Sequence, residues 1–523
     1  MIRKTLIATA VASAFVASPA LAQVQGPSSS KTPYVIPTAP GWSVTSILTV
    51  GDEAVNKYKM VGIPDGLGAY DNGPNSDTFT VLMNHELGDT QGVARAHGSK
   101  GAFVSEWIIN KNTLQVISGQ DLVQSAANVY TGGLGGVYAS GTISFARLCS
   151  ADLPAVSAFY NAKTNKGTQT RIFMNGEENG DGGRAFGFIA TGSNKGKVYE
   201  LPYLGKFSWE NSVANPYSGD KTVVIGLDDS TPGQVYVYQG TKTNTGLDID
   251  KAGLTNGTLA GIKVDTPNPN PNAQGGASGN REYGPINGGF STVAVNTSLS
   301  GNDQQTSSVA AKITEFARPE DGHWADAKTF YFVTTGADYD GSAGPLVAQT
   351  ARLYKLSFNE AAGVVDYGNG TVTMVKDAAT LVGSDGDTAR SFDNMVVGDS
   401  GKIYIQEDPG NSSYIAKTWE YDPATGTWTQ ILKSDTDRFI TGAPYFLTQD
   451  EESSGIIDVT TILGKNDGKR YFLGDMQAHY NIAGELVQGG QLYLAAVPEP
   501  ETYAMLLAGL GLVGLIARRR KGK

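Results

Sequence analysis

The chain has 523 residues, 40 Lys+Arg against 51 Asp+Glu, a formal charge of −11 and 40% hydrophobic residues. Setting aside Arg3, Lys4 and the five basic residues after Ala517 leaves 33 Lys+Arg against 51 Asp+Glu, a balance of −18. So acidic a body excludes nucleic acid as a partner, since phosphate backbones are held by Lys and Arg, and one cysteine, Cys149, excludes an intramolecular disulfide.

In chain order, Arg3 and Lys4 precede an apolar stretch from Leu6 to Val16, and Ala20-Leu21-Ala22 forms a small-x-small cleavage site before Gln23. This pattern predicts a secretory signal peptide over residues 1–22, without a twin-arginine pair. The Ser-, Pro- and Thr-rich segment after Gln23, up to Pro40, reads as an extended lead-in. Beyond it, short strand patterns dominate, with aromatic and β-branched residues alternating and Gly, Asp or Asn closing each run. Gly233-Gln234-Val235-Tyr236-Val237-Tyr238, Lys328-Thr329-Phe330-Tyr331-Phe332-Val333 and Gly401-Lys402-Ile403-Tyr404-Ile405 are examples. The 66 glycines suit many tight turns. This recurring strand predicts an all-β fold, a β-propeller whose blade number the degenerate repeat does not disclose. One loop stands apart: Thr266-Pro267-Asn268-Pro269-Asn270-Pro271-Asn272, running on through Gly, Ser and Asn to Asn280.

At the C-terminus, Val497-Pro498-Glu499-Pro500 leads into an apolar run from Met505 to Ala517 and then Arg518-Arg519-Arg520-Lys521. The run falls short of the roughly 17–25 residues of a bilayer span. The basic cluster behind it belongs on the cytoplasmic side. This arrangement resembles the PEP-CTERM sorting signal of Gram-negative bacteria. The resemblance implies a hydrophobic sorting helix over 497–523, processing by an exosortase, and a membrane contact through the tail alone. Residues 23–496 are then one exported domain. Its destination is the outer surface or extracellular matrix, after transient anchoring at the inner membrane.

Chemistry is sought where acidic residues cluster at loop-like places: Asn84-His85-Glu86, Glu177-Glu178, Glu210, Asp228-Asp229, Arg318-Pro319-Glu320-Asp321, Asp385-Gly386-Asp387, Asp393-Asn394, Glu407-Asp408 and Asp450-Glu451-Glu452. Adjacent carboxylates on a strand point to opposite faces, and Asp is common in turns, so a single pair says little. Gathered together, they must bind cations or stay protonated, because two carboxylates 4 Å apart repel by about 4 kcal/mol at an effective dielectric of 20. Oxygen donors suit Ca²⁺ and Mg²⁺, and a thiol admits iron. With only His85, His97, His323 and His479 present, a histidine-rich site is not expected.

The order of these segments, from Asn84-His85-Glu86 through Cys149, Glu177-Glu178, Glu210 and Asp228-Asp229 to Arg318-Pro319-Glu320, resembles the PhoX-type secreted alkaline phosphatases, which are β-propellers. The likeness runs from about Leu82 to Asp408. It implies metal ligands at Cys149, Glu178, Glu210 and Glu320, with Asp229 beside them, around Ca²⁺ and Fe³⁺. It also implies a phosphate-gripping Arg318 and hydrolysis of small phosphate monoesters. The chain departs from that family in the insertion between Cys149 and Glu177, which includes Thr164 to Arg171, and in its export signal. The alternatives are a non-catalytic surface or matrix propeller with structural calcium, and a propeller hydrolase acting on another ester.

Overall fold

Alternating apolar residues make each strand two-faced, and a sheet with two apolar faces must be covered on both sides. A computed structural model describes residues 22–265, 280–336 and 350–499 and shows how this is done. The strands form six blades arranged in a closed ring, antiparallel except where Val198–Glu200 pairs with Val129–Gly132 and Ala22–Gln25 with Ser43–Thr49, each blade packed on the next through its innermost strand. The inner strands, in chain order, are Pro64–Asp71, Leu148–Asp152, Trp209–Ala214, Pro319–Trp324, Phe392–Val397 and Glu451–Asp458. They define blades 1 to 6. The export segment before Ala22, the Pro/Asn loop from Thr266 to Gly279 and the tail from Pro500 lie outside the described residues.

The core is divided among the blade interfaces. Leu67, Phe79 and Trp107 of blade 1 meet Leu473 and Leu492 of blade 6. Phe173 and Phe186 of blade 2 meet Leu82 and Val104 of blade 1. Trp209 and Tyr236 of blade 3 face Ile172 and Ile189 of blade 2, and Phe332 and Tyr354 of blade 4 face Ile225 and Val237 of blade 3. Phe392 and Trp419 of blade 5 cover Val333 and Leu353, and Phe472 and Tyr493 of blade 6 cover Tyr404 and Ile431. Burying each such side chain contributes about 1.5–3 kcal/mol. Because the apolar mass lies between blades, the axis is left to polar side chains.

The sequence reading and the structure agree on the strands: Gly233–Thr241, Thr329–Thr334 and Ile403–Glu407 are all paired. They differ at the start of the body. The segment read as an extended lead-in supplies two blade edges. Ala22–Gln25 pairs in parallel with Ser43–Thr49, the strand that closes blade 6 against Val487–Pro498. Val35–Pro37 pairs with Thr427–Ser434 on blade 5. Tyr34 and Val35 are 1% exposed, sealed between blades 5 and 6. Ser, Thr and Pro tolerate an edge strand, so composition alone reads as coil there. Among the described residues, the longest helix is Gly301–Ala310, and no helix is long and apolar enough to cross a membrane.

Candidate metal centre

Every inner strand carries an irregularity of register near its start, against the second strand of its own blade. A bulge of this kind bends a strand and re-aims a side chain. The second residue of each inner strand is the one re-aimed: Asp65, Cys149, Glu210, Glu320, Asp393 and Glu452. Five carboxyls and a thiol therefore occupy equivalent places around one axis.

A second tier lies one residue past the end of the neighbouring strand in five blades and, in the sixth, at His479 within the strand Lys469–Ile482. There the backbone N–H of Glu86, Glu178, Asp229, Thr335, Asp408 and His479 donates to the carbonyl just before the inner strand, at Ile63, Arg147, Ser208, Arg318, Ser391 and Asp450 (2.8–3.1 Å). Four of those preceding residues, Ile63, Arg147, Arg318 and Ser391, have left-handed backbone with φ between 45° and 59°. That conformation is uncommon for residues with a Cβ.

The adjacent acid pairs separate as strand alternation requires. Glu177 turns into its blade onto Arg184 Nε (2.7 Å), whereas Glu178 turns to the axis. Asp228 accepts from Ser230 Oγ (2.8 Å), leaving Asp229 to the axis. Glu407 accepts from Trp419 Nε1 (2.9 Å) and Glu451 from Ser434 Oγ (2.6 Å), so Asp408 and Glu452 are the axial members. Asp385-Gly386-Asp387 forms a separate turn, in which Asp387 N donates to Asp385 Oδ1 (3.1 Å). His85 is a packed strand residue, stacked on Phe103 with its ring centroid 4.2 Å away and Nε2 2.9 Å from Ser105 Oγ.

Of the residues singled out from sequence, Cys149, Glu178, Glu210, Asp229, Glu320 and Arg318 come together in this basin, whereas His85, Glu177, Asp228, Asp385, Asp387, Glu407 and Glu451 do not. Ligand atoms of Cys149, Glu178 and Glu210 lie within 4.8 Å of one another, as do those of Asp65, Glu86 and Cys149, and those of Glu210, Glu320 and Asp393. Cys149 and Glu210 are each shared by two triplets. Arg318 forks onto Asp229, Nε to Oδ1 at 2.8 Å and Nη2 to Oδ2 at 2.9 Å, and Nη2 also reaches Glu320 Oε1 at 3.1 Å. Ser150 Oγ donates to Glu210 Oε1 at 2.5 Å, and Asn394 of the opposite blade donates to Ser150 Oγ at 2.5 Å. Asn211 Nδ2 donates to Asp321 Oδ1 at 2.6 Å. Asn211 and Asp321 also line a cavity of about 700 Å³. At Gly66 a Cβ would come within 2.6 Å of Ala151 N and Cys149 O, so only glycine lets blades 1 and 2 close together here.

Electrostatics set the protonation. Burial, then neighbouring carboxylates, push Asp65, Cys149 and Asp393 well above their ordinary ranges. Burial and Asp229 push Glu210 up to about 8, and burial and Glu452 push Asp408 up to about 7. Burial also raises Asp229, but the Arg318 fork overcomes it and holds that carboxyl below the ordinary range, while burial and then Asp229 push Glu320 well above its ordinary range despite its contact with Arg318. His479 is lowered by burial but raised more strongly by Glu452, to about 10. The axial carboxyls outnumber the basic groups among them, Arg147, Arg318 and His479. Such an excess needs protons or cations, and a donor set of many oxygens with one sulfur fits hard divalent ions with a place for iron.

Sequence reasoning passed over Asp65 and Arg147, and did not assign Glu86, Asp393, Asp408 and Glu452 to the site. A signal was present: an acid or Cys, then Gly, Ser, Asn or Asp, opens each inner strand, as in Asp65-Gly66, Cys149-Ser150, Glu210-Asn211, Glu320-Asp321, Asp393-Asn394 and Glu452-Ser453.

Comparison with known proteins adds two findings. The PEP-CTERM protein-sorting motif matches residues 496–521. Among solved structures, Pseudomonas fluorescens PhoX in complex with vanadate, a transition state analogue, superposes with a TM-score of 0.59 at 12% identity, covering 92% of this chain and 98% of that one. A Synechocystis apocarotenoid oxygenase mutant, at 11% identity, covers 80% of this chain and 88% of its own with a TM-score of only 0.29. No curated protein matches the sequence. The motif implies export, transient anchoring at the membrane and processing by an exosortase. The chain thus has the propeller fold seen in PhoX and carries a PEP-CTERM protein-sorting motif.

Proposed function

We propose that this chain is an exported, metal-dependent phosphatase-like protein that hydrolyses phosphate monoesters in the axial basin. The observation that carries the reading is the convergence of Cys149, Glu178, Glu210 and Glu320 beside Arg318. On this reading those four residues are metal ligands, with Asp229 at their side and Asp65, Glu86 and Asp393 added by the geometry. Ca²⁺, with Fe³⁺ at the thiol, would supply positive charge against phosphoryl oxygens. Arg318, oriented by its two bonds to Asp229, donates to the phosphoryl group and stabilises the charge that grows there. Ser150 and Thr335 hold Glu210 and Glu320 in place, and Asn394 in turn holds Ser150. Residues 1–22 are removed on export and 497–523 direct sorting, leaving the propeller as the working domain at the outer surface or in the matrix.

The test is turnover of an aryl phosphate by the metal-loaded protein. Arg318→Ala and Glu320→Gln should each abolish it while the fold is kept, and undiminished turnover in both variants would remove the assignment. One observation favours a second reading, a surface propeller with structural calcium: both arginines of the basin are engaged by carboxylates. Calcium binding with no turnover and no iron would select it.

A further inference from the structure

Arg147 and Arg318 hold the same place in blades 2 and 4. Each directly precedes the inner strand, each has left-handed backbone (φ 45° and 59°), and each carbonyl accepts from the residue after the second strand. Each also reaches sideways to a second-tier acid of the preceding blade: Arg147 Nη2 to Glu86 Oε1 at 2.8 Å, Arg318 Nε to Asp229 Oδ1 at 2.8 Å. Arg147 binds Glu178 as well, through Nε at 3.1 Å and through Nη2. The two differ in exposure. The Arg318 side chain is 20% exposed, that of Arg147 49%, so the second guanidinium stands at the mouth. The Cys149–Glu178–Glu210 triplet therefore lies between two arginine forks.

We propose that Arg147 is a second phosphoryl-binding residue, acting together with Arg318 from the next blade but one, and that the pair selects dianionic monoesters over diesters. The proposal rests on the phosphatase reading above. A monoester presents three non-bridging oxygens and close to two negative charges, enough for a fork on either side. A diester presents two such oxygens and one charge, and its second ester group occupies the place of one fork. A planar guanidinium binds such oxygens in pairs, which an ammonium cannot do. A residue serving only to neutralise Glu86 and Glu178 would act on metal binding and not on the anion.

The experiment measures inorganic phosphate binding by calorimetry, metal content by elemental analysis, and kcat/KM for an aryl phosphate and a bis-aryl phosphate, in wild type, Arg147→Ala and Arg147→Lys loaded with Ca²⁺ and iron. With one charged fork removed, Arg147→Ala should bind phosphate about 10- to 100-fold more weakly at unchanged metal content. Its monoester-to-diester ratio should fall by a similar factor, and Arg147→Lys should lie between. Wild-type phosphate affinity in Arg147→Ala overturns the role of Arg147. Loss of metal in step with loss of phosphate affinity also overturns it, in favour of a ligand-holding role. A wild-type protein that neither binds phosphate nor turns over either ester overturns the underlying phosphatase reading instead.

Discussion

Stripping cations from the basin should make this propeller most stable in mild acid and progressively weaker toward alkaline pH. The sign follows from Glu210, held at about 8 against an ordinary 4.5. In the folded chain it keeps a proton that the unfolded chain releases, so stability is lost as pH rises from 4.5 through 8. A shift of that size on a residue 1% exposed costs roughly 5 kcal/mol once the pH is above 8. Calcium at a hundred times its dissociation constant returns about 2.7 kcal/mol for each site it fills. For the one all-carboxylate triplet, Glu210, Glu320 and Asp393, this amounts to about 3 °C in melting temperature for a chain of this size. Near pH 5 calcium must displace protons, and its effect should shrink to about 1–2 °C. Glu407 and Glu451, raised to about 7 and about 8 by burial within their blades, lie away from the axis, so a residual slope should persist in the calcium form. Thermal melts from about pH 5 to about pH 9, with chelator or calcium, read all of this. A calcium effect that is absent, or equal at the acid and alkaline ends of that range, refutes the reasoning.

Three further outcomes are expected. Cys149→Ser should abolish iron binding while calcium is retained, as elemental analysis would show; iron retained at full stoichiometry would place it elsewhere. Gly66→Ala should destabilise by about 1–3 kcal/mol in denaturant melts, because its Cβ meets Ala151 N and Cys149 O at 2.6 Å. Deleting residues 23–40 should cost on the order of 4 kcal/mol, since Tyr34 and Val35 are lost from the seam between blades 5 and 6 and two blade edges disappear. An unchanged melting curve would show that segment to be a passive lead-in.

The fold was legible in the sequence where alternation is strong. Gly233–Thr241 and Thr329–Thr334 bury both apolar faces between blades, and their aromatic and β-branched residues say so. Ala22–Gln25 and Val35–Pro37 were not legible, because the blades whose edges they complete are built from the far end of the chain, through Val487–Pro498 and Thr427–Ser434. Blade number was hidden for a related reason: the outer strands Gly288–Val295 and Val364–Asp377 pair with each other and fuse blades 3 and 4 into one sheet.

At the candidate site, the gathering of Glu178, Asp229 and Glu320 was legible through the likeness in segment order to the PhoX-type phosphatases. Asp65 was not, because Pro64-Asp65-Gly66 reads as a turn until the other five inner strands are set beside it. Arg147 was missed for a different reason. It precedes Leu148-Cys149, with no Pro-Glu after it to mark the likeness to Arg318-Pro319-Glu320. Only the closed ring shows that the two arginines are equivalent.

Metal stoichiometry in wild type and Glu210→Gln tests the central claim most directly, because Glu210 belongs to two of the three triplets. Elemental analysis of protein dialysed against calcium and iron should find more than one bound cation per chain, and a marked loss in the variant with the fold preserved. A wild-type chain that retains none, or a variant that retains as many as wild type, would contradict it.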